Sequence, residues 1–296
     1  MPHRINHQTA LFALKTRILV DGGDPAESLR VKELIGFVDG QTTNPSLIAH
    51  NPQLRQRLAG GRALTAGEAR DAYREIVQRI SPLVGTAGVS IEVFADLDTT
   101  AEEMLTQARE MYTWIPNAHI KFPCTVEGIR AAHVAVSEQI KVNLTLCFSQ
   151  EQAAAVYAAT LGTAVSVYLS PFVGRLDDIG WNGVDLLANI QRMFSAGDGH
   201  VQVLAASIRT LDHLLYCLSA QVDLVTVPAK ILEQWAAKGF PLPSSGFSFH
   251  GSGSTIPYQQ LDLARPFTSF DVSHELTTKG IQRFVADYNA TISSAA

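Results

Sequence analysis

The chain has 296 residues, 46% of them hydrophobic and 17% charged, with a formal net charge of −5 and three cysteines. That length and apolar content support a large core, and an acidic balance without a basic stripe excludes a general nucleic-acid binder. "MPHRINHQTA" at the start lacks the apolar run of a signal peptide, and Cys124, Cys147 and Cys217 show no CxxC spacing, so a cytoplasmic protein with reduced thiols is expected.

The first β-branched run is "RILVD" (17–21), which ends in Asp21, with Asp24 just beyond it. "GFVDGQTT" (36–43) follows and leads through Thr42 to Asn44. The stretch between 44 and 88 is longer than the other intervals and reads as extra helices. "VSIEVF" (89–94) sets Ser90 and Glu92 opposite Val89, Ile91 and Val93, because strand side chains alternate between faces. After the helical pattern "AEEMLTQAREMYTWI" comes "HIKFPC" (119–124), with Ile120, Phe122 and Cys124 on one face. His119, Lys121 and Pro123 lie on the other, with Thr125 beyond. "VNLTLC" (142–147) likewise sets Asn143 and Thr145 opposite Val142, Leu144 and Leu146.

The most apolar region, 153–169, contains Thr160, Gly162, Thr163 and Ser166 and reads as a helix, a turn and a strand, not a membrane span. "VSVYLS" (165–170), "VQVLAAS" (201–207) and "DLVTVP" (223–228) bring the candidate strands to eight, the last two separated by the helical "TLDHLLYCLSA". Alternating strands and helices imply a parallel sheet, and eight at this spacing favour a single (β/α)8 barrel, over about residues 14–235. Beyond 236, "GFPLPSSGFSFHGSGSTIPY" reads as an irregular loop and "VSHELTTKGIQRFVADYNATI" as a closing helix. Residues 236–296 are expected to pack on the barrel, so that 1–296 form one domain with extra helices and a C-terminal extension. Trp114, Trp181 and Trp235 read as packing residues.

Five strands thus bring polar or ionisable groups to one face, near the C-terminal ends where barrel active sites lie. Any one Asn, Thr or Ser on a strand is usually a local hydrogen-bonder; the convergent set is what points to a site. Of the seven lysines only Lys121 falls in mid-strand, while Lys141 precedes its strand. A free lysine, with a pKa of about 10.4, is less than roughly 0.1% neutral at pH 7. Burial disfavours a charged amine, so a lysine in a barrel interior suits attack on a carbonyl and formation of a Schiff base.

"QTTNPSLI" (41–48), "IKFPCTVEGI" (120–129), "VNLTLCFSQEQA" (142–153), "SPFVGR" (170–175) and "AASIRT" (205–210) resemble the transaldolase family, which includes the fructose-6-phosphate aldolases. The matches run in family order from about 17 to 230, and "FDVSHELTTKGIQRFVADYNA" resembles the tail of some bacterial transaldolases. The resemblance implies Lys121 as the Schiff-base lysine, Asp21 as the group that takes the substrate hydroxyl proton, and Glu92 as an acid/base acting through a water held by Thr145. It implies Asn44 and Asn143 on substrate hydroxyls, Thr42 and Ser90 lining the pocket, and Ser170, Arg175 and Arg209 on the phosphate. Guanidinium groups at strand ends make chemical sense as an anion clamp on their own account. Phe122 and Cys124 depart from the family pattern and are expected to face the helices.

The implied activity is transfer of a dihydroxyacetone unit from a ketose phosphate to an aldose phosphate, as in the pentose phosphate pathway. In the family's aldolase branch an amide replaces the acid matching Glu92 and a tyrosine occupies the pocket region; Glu92 and Phe172 therefore favour transfer. The alternatives are a fructose-6-phosphate aldolase, a transaldolase for a sulfonated or otherwise modified sugar, and a non-catalytic sugar-phosphate-binding barrel. "HGSGS" (250–254) lacks a Lys-Ser/Thr and reads as a solvated turn, and the nine histidines show no ligand spacing, so neither metal nor cofactor is expected. Sugar phosphates are the expected partners, nucleic acid and membrane are not, and homo-oligomerisation is left open.

Overall fold

The computed structural model describes residue 11 and residues 14–59, 63–244, 246–251 and 253–291. Eight parallel strands close into a barrel in chain order. They are β1 (Arg17–Asp21), β2 (Gly40–Thr42), β3 (Gly88–Glu92), β4 (Ala118–Pro123), β5 (Val142–Cys147), β6 (Val167–Pro171), β7 (Val201–Ala205) and β8 (Leu224–Val227). The (β/α)8 expectation is met. The second strand is shorter than the run 36–43, because Gly36, at φ 90°, ends the preceding helix instead of opening a strand.

Helices follow the strands: α1 (Pro25–Ile35), α2 (Pro45–Ala49), α3 (Pro52–Ala59), α4 (Ala66–Ile80), α5 (Ala101–Met111) and α6 (Val126–Ser137). They continue with α7 (Gln150–Ala159), α8 (Val173–Asp177), α9 (Gly183–Phe194), α10 (Leu211–Ser219), α11 (Ala229–Ala237) and α12 (Glu275–Asn289). Their starts are written locally. Thr65 with Glu68, Thr100 with Glu103 and Ser149 with Gln152 form capping boxes on α4, α5 and α7, satisfying N–H groups that have no partner within the helix. The long interval 44–88 holds α2, α3 and α4.

Alternation along the strands sorts the core into two parts. Ile120, Phe122 and Cys124 join the large cluster between sheet and helices, so the two departures from the family pattern bear on packing. Inside the barrel, Leu19, Ala87, Tyr168, Leu204 and Leu224 form a separate buried cluster, with the His119 ring stacked on Tyr168 at 4.2 Å. The barrel floor is therefore filled, and a small molecule has room only at the C-terminal end. Cys124 and Cys147 meet at the ends of β4 and β5; both thiols are free and buried.

The C-terminal end is closed by α12, which packs on α2 and β5. A bulge in β5 after Leu144 puts Leu146 in the left-handed region, at φ 58°, and its carbonyl accepts the Thr277 hydroxyl at 2.9 Å. Gly280 lets α12 come close: a Cβ there would lie 2.6 Å from Leu146 Cδ2 and 2.7 Å from Arg175 Nη1. The described residues between 240 and 274 are irregular except for a single bridge of Ser254 to Trp181 and a short 3-10 turn at Phe267–Ser269. No helix among the described residues is long and apolar enough to cross a membrane.

Candidate active site

The ladder registers set Glu92 on β3 beside Lys121 on β4, and Lys121 beside Asn143 on β5. Lys121 and Glu92 are each 4% exposed. Lys121 Nζ lies 2.8 Å from Glu92 Oε2 and donates to the Thr43 carbonyl, also at 2.8 Å. The Glu92 carboxylate and the Thr43 carbonyl thus hold the amine from two sides at the same distance. A charge pair in so dry a setting is seldom a gain in stability, which makes a chemical role the better reason for its presence. Burial pushes the Glu92 carboxyl up, with Lys121 opposing. Burial likewise raises Asp21, against Lys121, the Thr42 hydroxyl and Arg175.

Thr42 Oγ1 donates to Asp21 Oδ1 at 2.8 Å. A hydroxyl has one proton to give, so the 2.6 Å contact between Thr42 and Thr226 is donated by Thr226. The two threonines thus hold Asp21 in one orientation at the edge of a cavity of about 190 Å3. Asp21, Thr42, Asn44, Lys121, Thr145, Ser170, Phe172, Arg175 and Arg209 all line that cavity. Thr145 Oγ1 is buried without a hydrogen-bond partner. It stands within the β5 bulge, a device that re-aims side chains, and is the one site hydroxyl left unengaged among the described residues.

Three expected residues are engaged elsewhere. Asn44 caps α2, accepting the Leu47 N–H on its side-chain oxygen at 2.9 Å, which leaves its amide donors for the cavity. Ser90 and Asn143 do not line the cavity. They form a chain beneath it, in which Ser170 Oγ donates to Asn143 Oδ1 at 2.7 Å and Asn143 Nδ2 donates to Ser90 Oγ at 3.0 Å. Glu92 is reached from a neighbouring, mainly apolar cavity of about 280 Å3 that also takes in Ile48, Tyr73, Phe94, Met111 and Trp114. That cavity is the larger of the two, and it meets the Lys121 chemistry through Glu92.

The opposite rim is cationic. Arg175, at the end of α8, lies over the rings of Phe172 and Phe284 at 5.2 and 5.6 Å. Arg209 is half exposed and pairs with Asp178 at 3.0 Å. Burial, with Arg283 and Arg209 close by, lowers the Arg175 proton affinity, against Glu92 and Asp178. Two residues there were not anticipated. Ser207, at φ 58°, turns the chain at the end of β7 and lines the cavity; its place two residues before Arg209 was a usable signal. Arg283 comes from α12, and nothing local in the sequence reveals where that helix docks.

Some inward-facing expectations fail. Asp24 caps α1, its side chain accepting the Ala26 N–H, and Thr125 caps α6, accepting the Gly128 N–H; both lie past the strand ends, where helix capping takes over from alternation. His119 faces inward but lies in the filled floor, where burial pulls its pKa down to about 3. Trp181 is 41% exposed, unlike buried Trp114 and Trp235. The "HGSGS" turn includes Ser252, which is outside the described residues. No group of three or more His, Cys, Asp or Glu suited to a metal occurs among the described residues.

The chain is similar to known proteins of one family. Residues 18–295 match the family profile described as Transaldolase/Fructose-6-phosphate aldolase. A "Probable transaldolase" of Agathobacter rectalis is 33% identical over 264 residues, 89% of this chain and 94% of the relative. One from Maricaulis maris is 34% identical over 256 residues, 86% and 89% of the two chains. One from Methanococcus maripaludis is 33% identical over 269 residues, covering 90% and 96%. The chain belongs to the transaldolase/fructose-6-phosphate aldolase family.

Proposed function

We propose that the protein is a transaldolase, which moves a three-carbon dihydroxyacetone unit from a ketose phosphate to an aldose phosphate through an imine on Lys121. The observation that carries the reading is one buried lysine, 2.8 Å from a buried carboxylate, at a cavity with Asp21 on its wall and guanidinium groups on its rim.

In this reading the neutral amine of Lys121 attacks the ketone carbon, and the carbinolamine loses water to become an iminium. Glu92 supplies and removes the protons through a water on the Thr145 hydroxyl. Asp21 takes the proton of the hydroxyl on the carbon beyond the bond to be broken. That carbon–carbon bond cleaves, the aldehyde leaves, and its electron pair remains as an enamine conjugated to the lysine nitrogen. Attack of the enamine on a second aldehyde, then hydrolysis, completes transfer and frees Lys121. Arg175, Arg209 and Ser170 hold the substrate phosphate, and Asn44 and Thr42 contact its hydroxyls. Asn143 and Ser90 act from beneath, by orienting Ser170.

Simple aldol cleavage differs only in the fate of the enamine, which is protonated on carbon and released as dihydroxyacetone. Phe172 on the cavity wall brings no acidic proton to it, which favours transfer. A barrel that only binds sugar phosphate has no need of a buried lysine. The deciding experiment incubates the protein with fructose 6-phosphate, with and without erythrose 4-phosphate, and follows sedoheptulose 7-phosphate and dihydroxyacetone together. Acceptor-dependent sedoheptulose 7-phosphate supports the reading; dihydroxyacetone alone replaces it with aldol cleavage; neither product rejects both.

A further inference from the structure

Tyr73 belongs to α4, in the stretch between β2 and β3 that contributes no barrel strand, yet its hydroxyl reaches the barrel wall. The residue is buried. Glu92 N–H donates to Tyr73 Oη at 2.9 Å. Tyr73 Oη lies 2.6 Å from Thr43 Oγ1, and Thr43 Oγ1 donates to the Ser90 carbonyl at 2.8 Å. The single Thr43 hydroxyl proton is thereby used, so the proton shared with Tyr73 comes from Tyr73. Donation runs one way: Glu92 N–H to Tyr73, Tyr73 to Thr43, Thr43 to Ser90.

The residues at the two ends of the tyrosine contact are those that hold the lysine. Glu92 carries the carboxylate beside Lys121 Nζ, and Thr43 carries the carbonyl that Nζ donates to. One phenol therefore ties the end of β3 to the residue just past β2, and with them the two atoms between which Nζ sits. Burial holds the Tyr73 hydroxyl far above the ordinary phenol range, so it is a fixed neutral donor and not an acid or base.

We propose that Tyr73 is a positioning residue for the lysine nucleophile, acting through the Thr43 carbonyl and the Glu92 backbone. The proposal rests on the imine reading given above. It assigns a purpose to α4, which delivers this hydroxyl. Amine attack depends on holding Nζ on line with the carbonyl carbon, and misplacement by about 1 Å is worth roughly a hundredfold in rate.

The test uses the full chain and measures borohydride-trapped adduct formation at saturating fructose 6-phosphate, alongside kcat, KM and melting temperature. Tyr73→Phe is expected to slow trapping and kcat by about tenfold, part of the loss a 1 Å displacement allows, with KM within about twofold because the phosphate rim is untouched. Thr43→Val should give the same loss, Thr43→Ser should restore most of the rate, and Tyr73→Phe with Thr43→Val together should lose no more than either alone. A merely structural tyrosine would lower the melting temperature and leave the trapping rate per folded molecule unchanged, which overturns the proposal. Thr43→Val decides the matter by the same criterion if Tyr73→Phe does not fold. A wild type that forms no adduct overturns the imine reading and this proposal together; a wild-type adduct with unchanged variants overturns this proposal alone.

Discussion

Lys121 Nζ and Glu92 Oε2 lie 2.8 Å apart on neighbouring strands at the same register, both buried. If the lysine is there for its nucleophilicity, a second cation cannot replace it. Lys121→Ala and Lys121→Arg should both be inactive in steady-state turnover, since arginine stays protonated and forms no imine. Glu92→Gln should slow transfer and any aldol cleavage alike, because both pass through the same imine. Measurable turnover by Lys121→Arg would remove the lysine from the mechanism.

The cationic rim predicts a division between binding and chemistry. Arg175→Ala and Arg209→Ala should each raise KM for a phosphorylated donor more than tenfold, a loss of at least about 1.4 kcal/mol. Reaction with unphosphorylated dihydroxyacetone should be nearly unchanged. Arg283→Ala, on the closing helix, should raise KM in the same sense by a smaller factor, because Arg283 is largely exposed. Equal damage to phosphorylated and unphosphorylated substrates would make these arginines structural.

Phe172 predicts the product ratio. Its ring lies under Arg175 and edge-on to Phe148 at 5.4 Å, and it lines the cavity where an enamine would wait. Phe172→Tyr places a hydroxyl there that can relay a proton. Dihydroxyacetone release from fructose 6-phosphate should rise, and the ratio of transfer to cleavage should fall. Product analysis at matched conversion, run without acceptor for release and with it for transfer, checks this. An unchanged ratio means the ring only packs.

His119 predicts acid sensitivity of the fold. Its two ring nitrogens are buried without partners, and its pKa is held down to about 3, whereas an exposed histidine titrates near 6.5. Between those values the unfolded chain binds a proton that the folded chain refuses. Stability is therefore full above about pH 6.5 and falls as pH drops toward 3, by about 1.4 kcal/mol per pH unit. His119→Phe keeps the stacking on Tyr168 and removes that slope. Urea unfolding at several pH values between 4 and 7 should give a visibly shallower decline for the variant.

Much of this protein was legible in the chain because strand alternation is a local rule. It brought Glu92, Lys121 and Thr145 to one face before any tertiary contact was known, and the spacing of apolar runs was enough for an eight-stranded barrel. It failed two residues past a strand end, at Thr125, where the helix start sets the direction of the side chain. It also could not separate depth along the barrel. His119 and Lys121 share a face, but one lies in the packed floor and the other beside the open cavity. Tyr73 and Arg283 were out of reach for a different reason: each arrives on a helix whose docking depends on the whole fold.

The central claim is that the covalent intermediate forms on Lys121. The most direct measurement is borohydride reduction of the full chain with fructose 6-phosphate, followed by proteolysis and mass spectrometry of the peptide spanning 119–125. The account predicts one reduced three-carbon adduct on Lys121, absent without borohydride or without sugar. An adduct on any of the other lysines, or an unmodified chain under conditions where the enzyme turns over, would contradict it.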